Sequence, residues 1–167
     1  MSSHLSKFAL AIAAVCFTVV LYFGWQVQTS QVSLRTVVAE AIPYETALQN
    51  GKPTLIEFYA DWCESCQAMA KANHQLVQQY GDRINFVMLN VDNNKWLPEL
   101  AKYRVDGIPR WIWLNAQREQ VGDGSGLMPK AVMEANIWAL LNGQPLPYSG
   151  ISGDTSKITV PQADGQG

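Results

Sequence analysis

Two cysteines three residues apart, Cys63 and Cys66, stand between a short apolar run and a helical pattern, and no other feature constrains the chain as strongly. The run, Thr54 to Ala60, reads TLIEFYA; it is rich in β-formers and apolar on both faces, as a strand inside a sheet must be. After Asp61-Trp62 and C-E-S-C, the residues Met69, Ala72, Leu76, Val77 and Tyr80 recur on one helical face, and Gly81 ends it. Cys63 therefore falls at a helix N-terminus, where unpaired N–H groups carry partial positive charge and favour a thiolate. The thiolate is the species that attacks a disulfide. Cys66, one turn on, is placed to attack the mixed disulfide and release the product.

The flanking patterns extend the fold. Pro43 suits the first position of a helix carrying Tyr44, Ala47 and Leu48. Ile84 to Val91 reads as a second strand, and Leu97, Leu100 and Tyr103 mark a short helix. Arg110 to Leu114 reads as a third strand, turned by Asn115-Ala116-Gln117 into a fourth around Glu119 to Gly122. Val132, Met133, Ile137, Leu140 and Leu141 line a last helix. Two strands joined by a helix argue for a parallel unit with a right-handed crossover; two joined by a tight turn argue for a hairpin. The expected fold is α/β, a four-stranded mixed sheet with helices on both faces, over residues 42–142.

The ends differ. Phe8 to Trp25 contains no charged residue, and a helix of that length spans about 27 Å, close to a hydrocarbon core. Lys7 and the α-amino group precede it, so residues 1–25 read as one transmembrane anchor with a cytoplasmic N-terminus. The alternative is a cleaved signal peptide, but the run exceeds the usual apolar core of about 7–15 residues. Residues 26–41 read as a linker, and residues 143–167, rich in Gly and Pro without periodicity, as a flexible tail.

Charge and cysteine count exclude several classes. Residues 42–148 carry nine basic and eleven acidic side chains, so no basic face for nucleic acid is expected. Three cysteines cannot make a disulfide scaffold; Cys16 sits in the apolar head as a filler. A closed zinc site needs a full tetrahedral set, which one C-x-x-C with His4 and His74 does not supply. No metal and no cofactor is expected.

The segment Phe58-Tyr59-Ala60-Asp61-Trp62-Cys63-Glu64-Ser65-Cys66 resembles the active-site segment of thioredoxin-fold proteins. Gly107-Ile108-Pro109 resembles their loop with a cis-proline facing the dithiol, and Gly124 to Gly126 their glycine turn beside the substrate groove. More narrowly, the apolar head, FYADWCxxC and the run Leu89 to Trp96 (LNVDNNKW) are similar to the membrane-anchored thioredoxin-like proteins of cyanobacteria and chloroplast thylakoids. The chain departs from thioredoxins in having Glu57 where they carry a buried Asp, Met88 in place of its Lys partner, and Lys71 where they have a helix-kinking proline.

The resemblance implies a thiol–disulfide oxidoreductase in which Cys63 attacks and Cys66 resolves. Trp62, Ile108, Pro109 and Gly126 would form the substrate surface, with the Ile108 backbone pairing an extended partner. Trp62 is open to two readings, a contact for partners or a lid on the helix start. Glu57 is open to two as well: a buried general base for the Cys66 thiol, or a core carboxylate paired with a cation. Arg110 is read as a solvated cation rather than a contact for an acidic partner, and Trp111 and Trp113 as core. The implied partners are disulfide-bearing proteins of the thylakoid lumen or periplasm, apocytochrome c among them, and a transmembrane thiol-electron carrier. Glu64 beside Cys63 opposes the thiolate, which points to a reductant nearer thioredoxin, about −270 mV, than DsbA, about −120 mV. An oxidase or isomerase, and a non-catalytic membrane-anchored cytochrome assembly module, are the alternatives.

Overall fold

The computed structural model describes residues 7, 12–22 and 32–158 of the 167-residue chain. The chain divides into two units, Met1–Gln31 and Val32–Gly167. In the first, residues 12–22 are helical and exposed. Among the described residues, no helix is long and apolar enough to cross a membrane. The expected anchor, residues 1–25, also covers residues 1–6, 8–11 and 23–25, which lie outside the described residues.

The second unit is organised around β1 (Thr54–Tyr59), buried at every position. Parallel β2 (Asn85–Asn90) lies on one side of it and antiparallel β4 (Arg110–Leu114) on the other. The 17-residue helix α3 (Glu64–Tyr80) connects β1 to β2, so the parallel unit expected from the sequence is present. β4 turns into β5 (Gln120–Ser125) through Asn115, whose Oδ1 accepts from the Gln117 and Glu119 N–H groups in an Asx turn. Helices α2 (Tyr44–Ala47), α4 (Leu97–Lys102) and α5 (Lys130–Leu141) complete the expected order. Strand alternation sorts the interior into two clusters: Ile56, Phe58, Ile112 and Leu114 in one, Leu55, Trp111 and Trp113 in the other. Buried Asn85 ties β2 to the α2–β1 connection, donating to Ala47 O at 3.2 Å and Asn50 Oδ1 at 2.9 Å and accepting from Asn50 Nδ2 at 2.7 Å.

Two expectations are corrected. The linker over residues 26–41 contains a helix, α1 (Leu34–Glu40), with the Ser33 hydroxyl accepting from the Thr36 N–H as its N-cap. Leu34 and Val37, three residues apart, bury one face, and His74 Nδ1 of α3 lies 2.9 Å from Glu40 Oε2. Two turns that bury only Leu34 and Val37 give an apolar stripe too short to set a helix apart from the linker before it.

The tail over residues 143–167 is also partly folded. Leu146 is buried, and the Asn136 side chain both donates to Tyr148 O at 3.1 Å and accepts from Tyr148 N at 3.0 Å. From there β6 (Ile151–Ser152) adds to β5 in parallel as a fifth strand, giving the order β2-β1-β4-β5-β6. A separate ribbon pairs β3 (Gly107–Ile108) antiparallel with β7 (Ser156–Lys157). Each of these strands is two residues long and held by backbone pairing, which needs no side-chain pattern; hence the sequence shows Gly and Pro but no strand signal.

Candidate active site

The end of β1 delivers the chain to α3 through a tight turn, in which the Cys63 N–H donates to Ala60 O at 3.2 Å. Cys63 is the N-cap of α3: its backbone is extended (φ −78°, ψ 108°) and its Sγ accepts from the Cys66 N–H at 3.1 Å. Cys63 and Cys66 are joined by a disulfide, their Cα atoms 5.2 Å apart, and neither is exposed. The donor that now meets Cys63 Sγ would meet the thiolate after reduction, adding a hydrogen bond to the helix-terminus field.

Of the residues that the resemblance singles out, Trp62 adjoins Cys63 in the chain and Ile108 shares its apolar cluster. Trp62 is half exposed, and its indole N–H donates to Asp92 Oδ2 at 3.0 Å, fixing the ring to the loop after β2. The Ile108–Pro109 bond is cis. Ile108 is buried in the apolar cluster that also holds Cys63 and Cys66. Pro109 O accepts from the Gly126 N–H at 2.7 Å, and Gly126 O accepts from the Trp111 indole at 3.0 Å. Gly126 has φ +76°, and a Cβ there would stand 2.3 Å from the Gly153 carbonyl carbon, so only glycine fits. Arg110 is not a solvated cation; it is largely buried and paired with Asp123 across the β4–β5 ladder.

Glu57 lines a cavity of about 10 Å³, at the lower limit of room for one water, together with Val37, Leu55, Phe86, Val87, Met88 and Trp111 among others. Met88 and Trp111 are its direct neighbours across the two flanking strands. Its Oε2 accepts from Asn73 Nδ2 at 2.8 Å, and its Oε1 has no partner among the described residues. Burial alone holds this carboxyl well above the usual carboxylate range. The partner is thus an amide from α3, not a cation. Asn73 went unnoticed in the sequence, yet the signal is there: Cys66, Ala70 and Asn73 follow at helical spacing on the buried face of α3, so a polar side chain must meet something inside.

Among the described residues, no cluster of His, Cys, Asp and Glu could hold a metal ion.

The thioredoxin family profile matches residues 35–139. A thiol:disulfide interchange protein TxlA homolog from Synechocystis sp. is 49% identical over 149 residues, covering 89% of this chain and 83% of that protein. The thiol:disulfide interchange protein TxlA of Synechococcus elongatus is 45% identical, covering 95% of this chain and 83% of its own length. The chloroplastic thioredoxin-like protein HCF164 of rice is 43% identical over 88% of this chain and 56% of its own. With a bonded Cys-x-x-Cys pair capping α3, the chain belongs to the thioredoxin family, alongside these thiol:disulfide interchange proteins, and is a thiol–disulfide oxidoreductase.

Proposed function

We propose that the chain is a membrane-tethered reductase of protein disulfides, held by residues 1–25 with its N-terminus cytoplasmic and its catalytic unit in the thylakoid lumen or periplasm. The observation that carries the chemistry is the Cys63–Cys66 pair at the start of α3, with the Cys66 N–H on Cys63 Sγ. Support for the setting comes from the uncharged run Phe8 to Trp25 and from the likeness to cyanobacterial and chloroplastic proteins.

In the reduced state the Cys63 thiolate attacks a substrate disulfide, forming a mixed disulfide and expelling one substrate thiolate. Cys66 gives its proton to the Glu57 carboxylate and attacks Cys63 Sγ, which breaks the mixed disulfide, restores the Cys63–Cys66 bond and expels the second substrate sulfur as a thiolate that solvent protonates. Two electrons pass to the substrate, and a transmembrane thiol carrier supplies two more that reduce the Cys63–Cys66 disulfide to the dithiol again. Glu57 assists the proton step, Oε1 being the oxygen that Asn73 leaves unpaired. Trp62, Pro109 and Gly126 form the contact surface, and the Ile108 backbone pairs an extended substrate segment. Exported proteins with reducible disulfides, apocytochrome c among them, are the substrate class.

The test is covalent capture in the native membrane. Cys66→Ser should accumulate mixed disulfides with substrates, and Cys63→Ser should not. Equal yields from both variants would reject the assignment of roles. The direction of flow is read from the potential, expected near thioredoxin's value of about −270 mV; a value above about −170 mV would make the protein an oxidant.

A further inference from the structure

The strand edge offered by β3 is already paired. β7 runs antiparallel to it, Ser156 opposite Ile108 and Lys157 opposite Gly107, and the Ile158 N–H donates to Asp106 O at 3.4 Å. The segment reaches this edge across the glycine turn: the Gly153 N–H donates to Ser125 O at 2.8 Å and the Leu127 N–H to Asp154 O at 3.2 Å. Ile158 packs against the apolar cluster that contains Cys63, Cys66 and Ile108. Cys63 itself is 0% exposed, whereas a sulfur that reacts with another protein must be reachable.

We infer that residues 153–158 are a built-in occupant of the strand-docking edge beside the dithiol, which an extended substrate segment displaces in order to bind. The inference rests on the reading that Ile108 presents its backbone to substrate. It adds that the chain's own tail already occupies that edge and competes with substrate for it.

The construction suits exchange. β7 is two residues long and lies beside a polar cleft of about 400 Å³ lined by Asp106, Gly107, Ser125, Ser152, Thr155 and Lys157. A strand held by few backbone bonds over a polar space belongs to the low-stability end of a fold. Upstream, Asn136 grips Tyr148 through both its amide atoms, so a lifted strand stays tethered. Its return is then intramolecular, at high effective concentration. Substrate affinity is reduced in proportion to the fraction of molecules in which the edge is open.

The experiment uses the full-length protein in detergent. Ser156→Pro removes the N–H of a ladder position, whereas Ser156→Ala keeps it. With dithiothreitol recycling the enzyme, kcat/KM for a disulfide-bonded peptide should rise about three- to tenfold in Ser156→Pro, as expected when the open fraction rises, and stay at the wild-type value in Ser156→Ala. In a second measurement, full-length Cys66→Ser is cross-linked through Cys63 to a cysteine peptide, and amide exchange is followed. Residues 156–158 should lose protection while Ile108 keeps it. If the tail is released in the cross-linked protein but Ser156→Pro is no faster than wild type, competition by the tail is overturned and Ile108 stands as the docking residue. If the tail keeps its protection with the peptide bound, docking at Ile108 fails, and the inference with it.

Discussion

Replacing Glu57 by Gln should change how stability depends on pH. The Glu57 carboxyl is 2% exposed, faces Met88 and Trp111 across the sheet, and receives one hydrogen bond, from Asn73. Burial raises its pKa in the folded state, while in the unfolded chain it titrates near the ordinary value of about 4.3. Between those two values the folded protein holds a proton that the unfolded chain has lost. Stability contributed by the protonated carboxyl is therefore full below about pH 4.3 and is lost at about 1.4 kcal/mol per pH unit as pH rises to the folded pKa. Above that the contribution is flat. Glutamine has no proton to lose; it keeps an acceptor for Asn73 and leaves its NH₂ without an acceptor, a pH-independent cost of about 1–3 kcal/mol. The measurement is urea unfolding of the oxidised wild type and Glu57→Gln at several pH values from 4 upward, with the difference plotted against pH. The slope isolates Glu57, because the other groups cancel. A flat difference would refute the reasoning, and one that rises with pH would mean that a cation stabilises the carboxylate.

Three further outcomes are expected. Val37→Ala, at a position 1% exposed on α1, should cost about 1–2.5 kcal/mol in urea unfolding; a cost near zero would return residues 34–40 to the linker. Asn85→Ala strips the amide that serves Ala47 O and Asn50 and should lower stability by about 1–3 kcal/mol, with the dithiol potential unchanged. Glu64→Gln removes a charge from the first turn of α3, so glutathione equilibration should give a potential about 5–20 mV less negative; a shift in the other direction would overturn the electrostatic account of Glu64.

Legibility in the sequence follows the physical origin of each element. β1, α3 and β4 bury apolar side chains at their characteristic periods, so Ile56, Phe58, Leu76 and Ile112 announce them. The Cys63 cap is legible because it stands at the junction of two such patterns. α1 buries only Leu34 and Val37, and its other support, Glu40 beside His74, comes from a helix far along the chain. β3, β6 and β7 depend on backbone pairing between segments that carry no periodic signal. For Asn73 the spacing shows a polar side chain on the buried face but not what it meets: Glu57 and Asn73 become partners only once α3 packs on the sheet.

At the point where the tail passes Gly126, two glycines lie back to back: a Cβ on Gly126 would strike Gly153, and one on Gly153 would come within 2.4 Å of Leu127 O. Neither residue has a side chain to shorten. Mutational damage at one of them therefore has no suppressor at the other, and the two positions are closed to drift together, as the crossing point of two lengths of main chain.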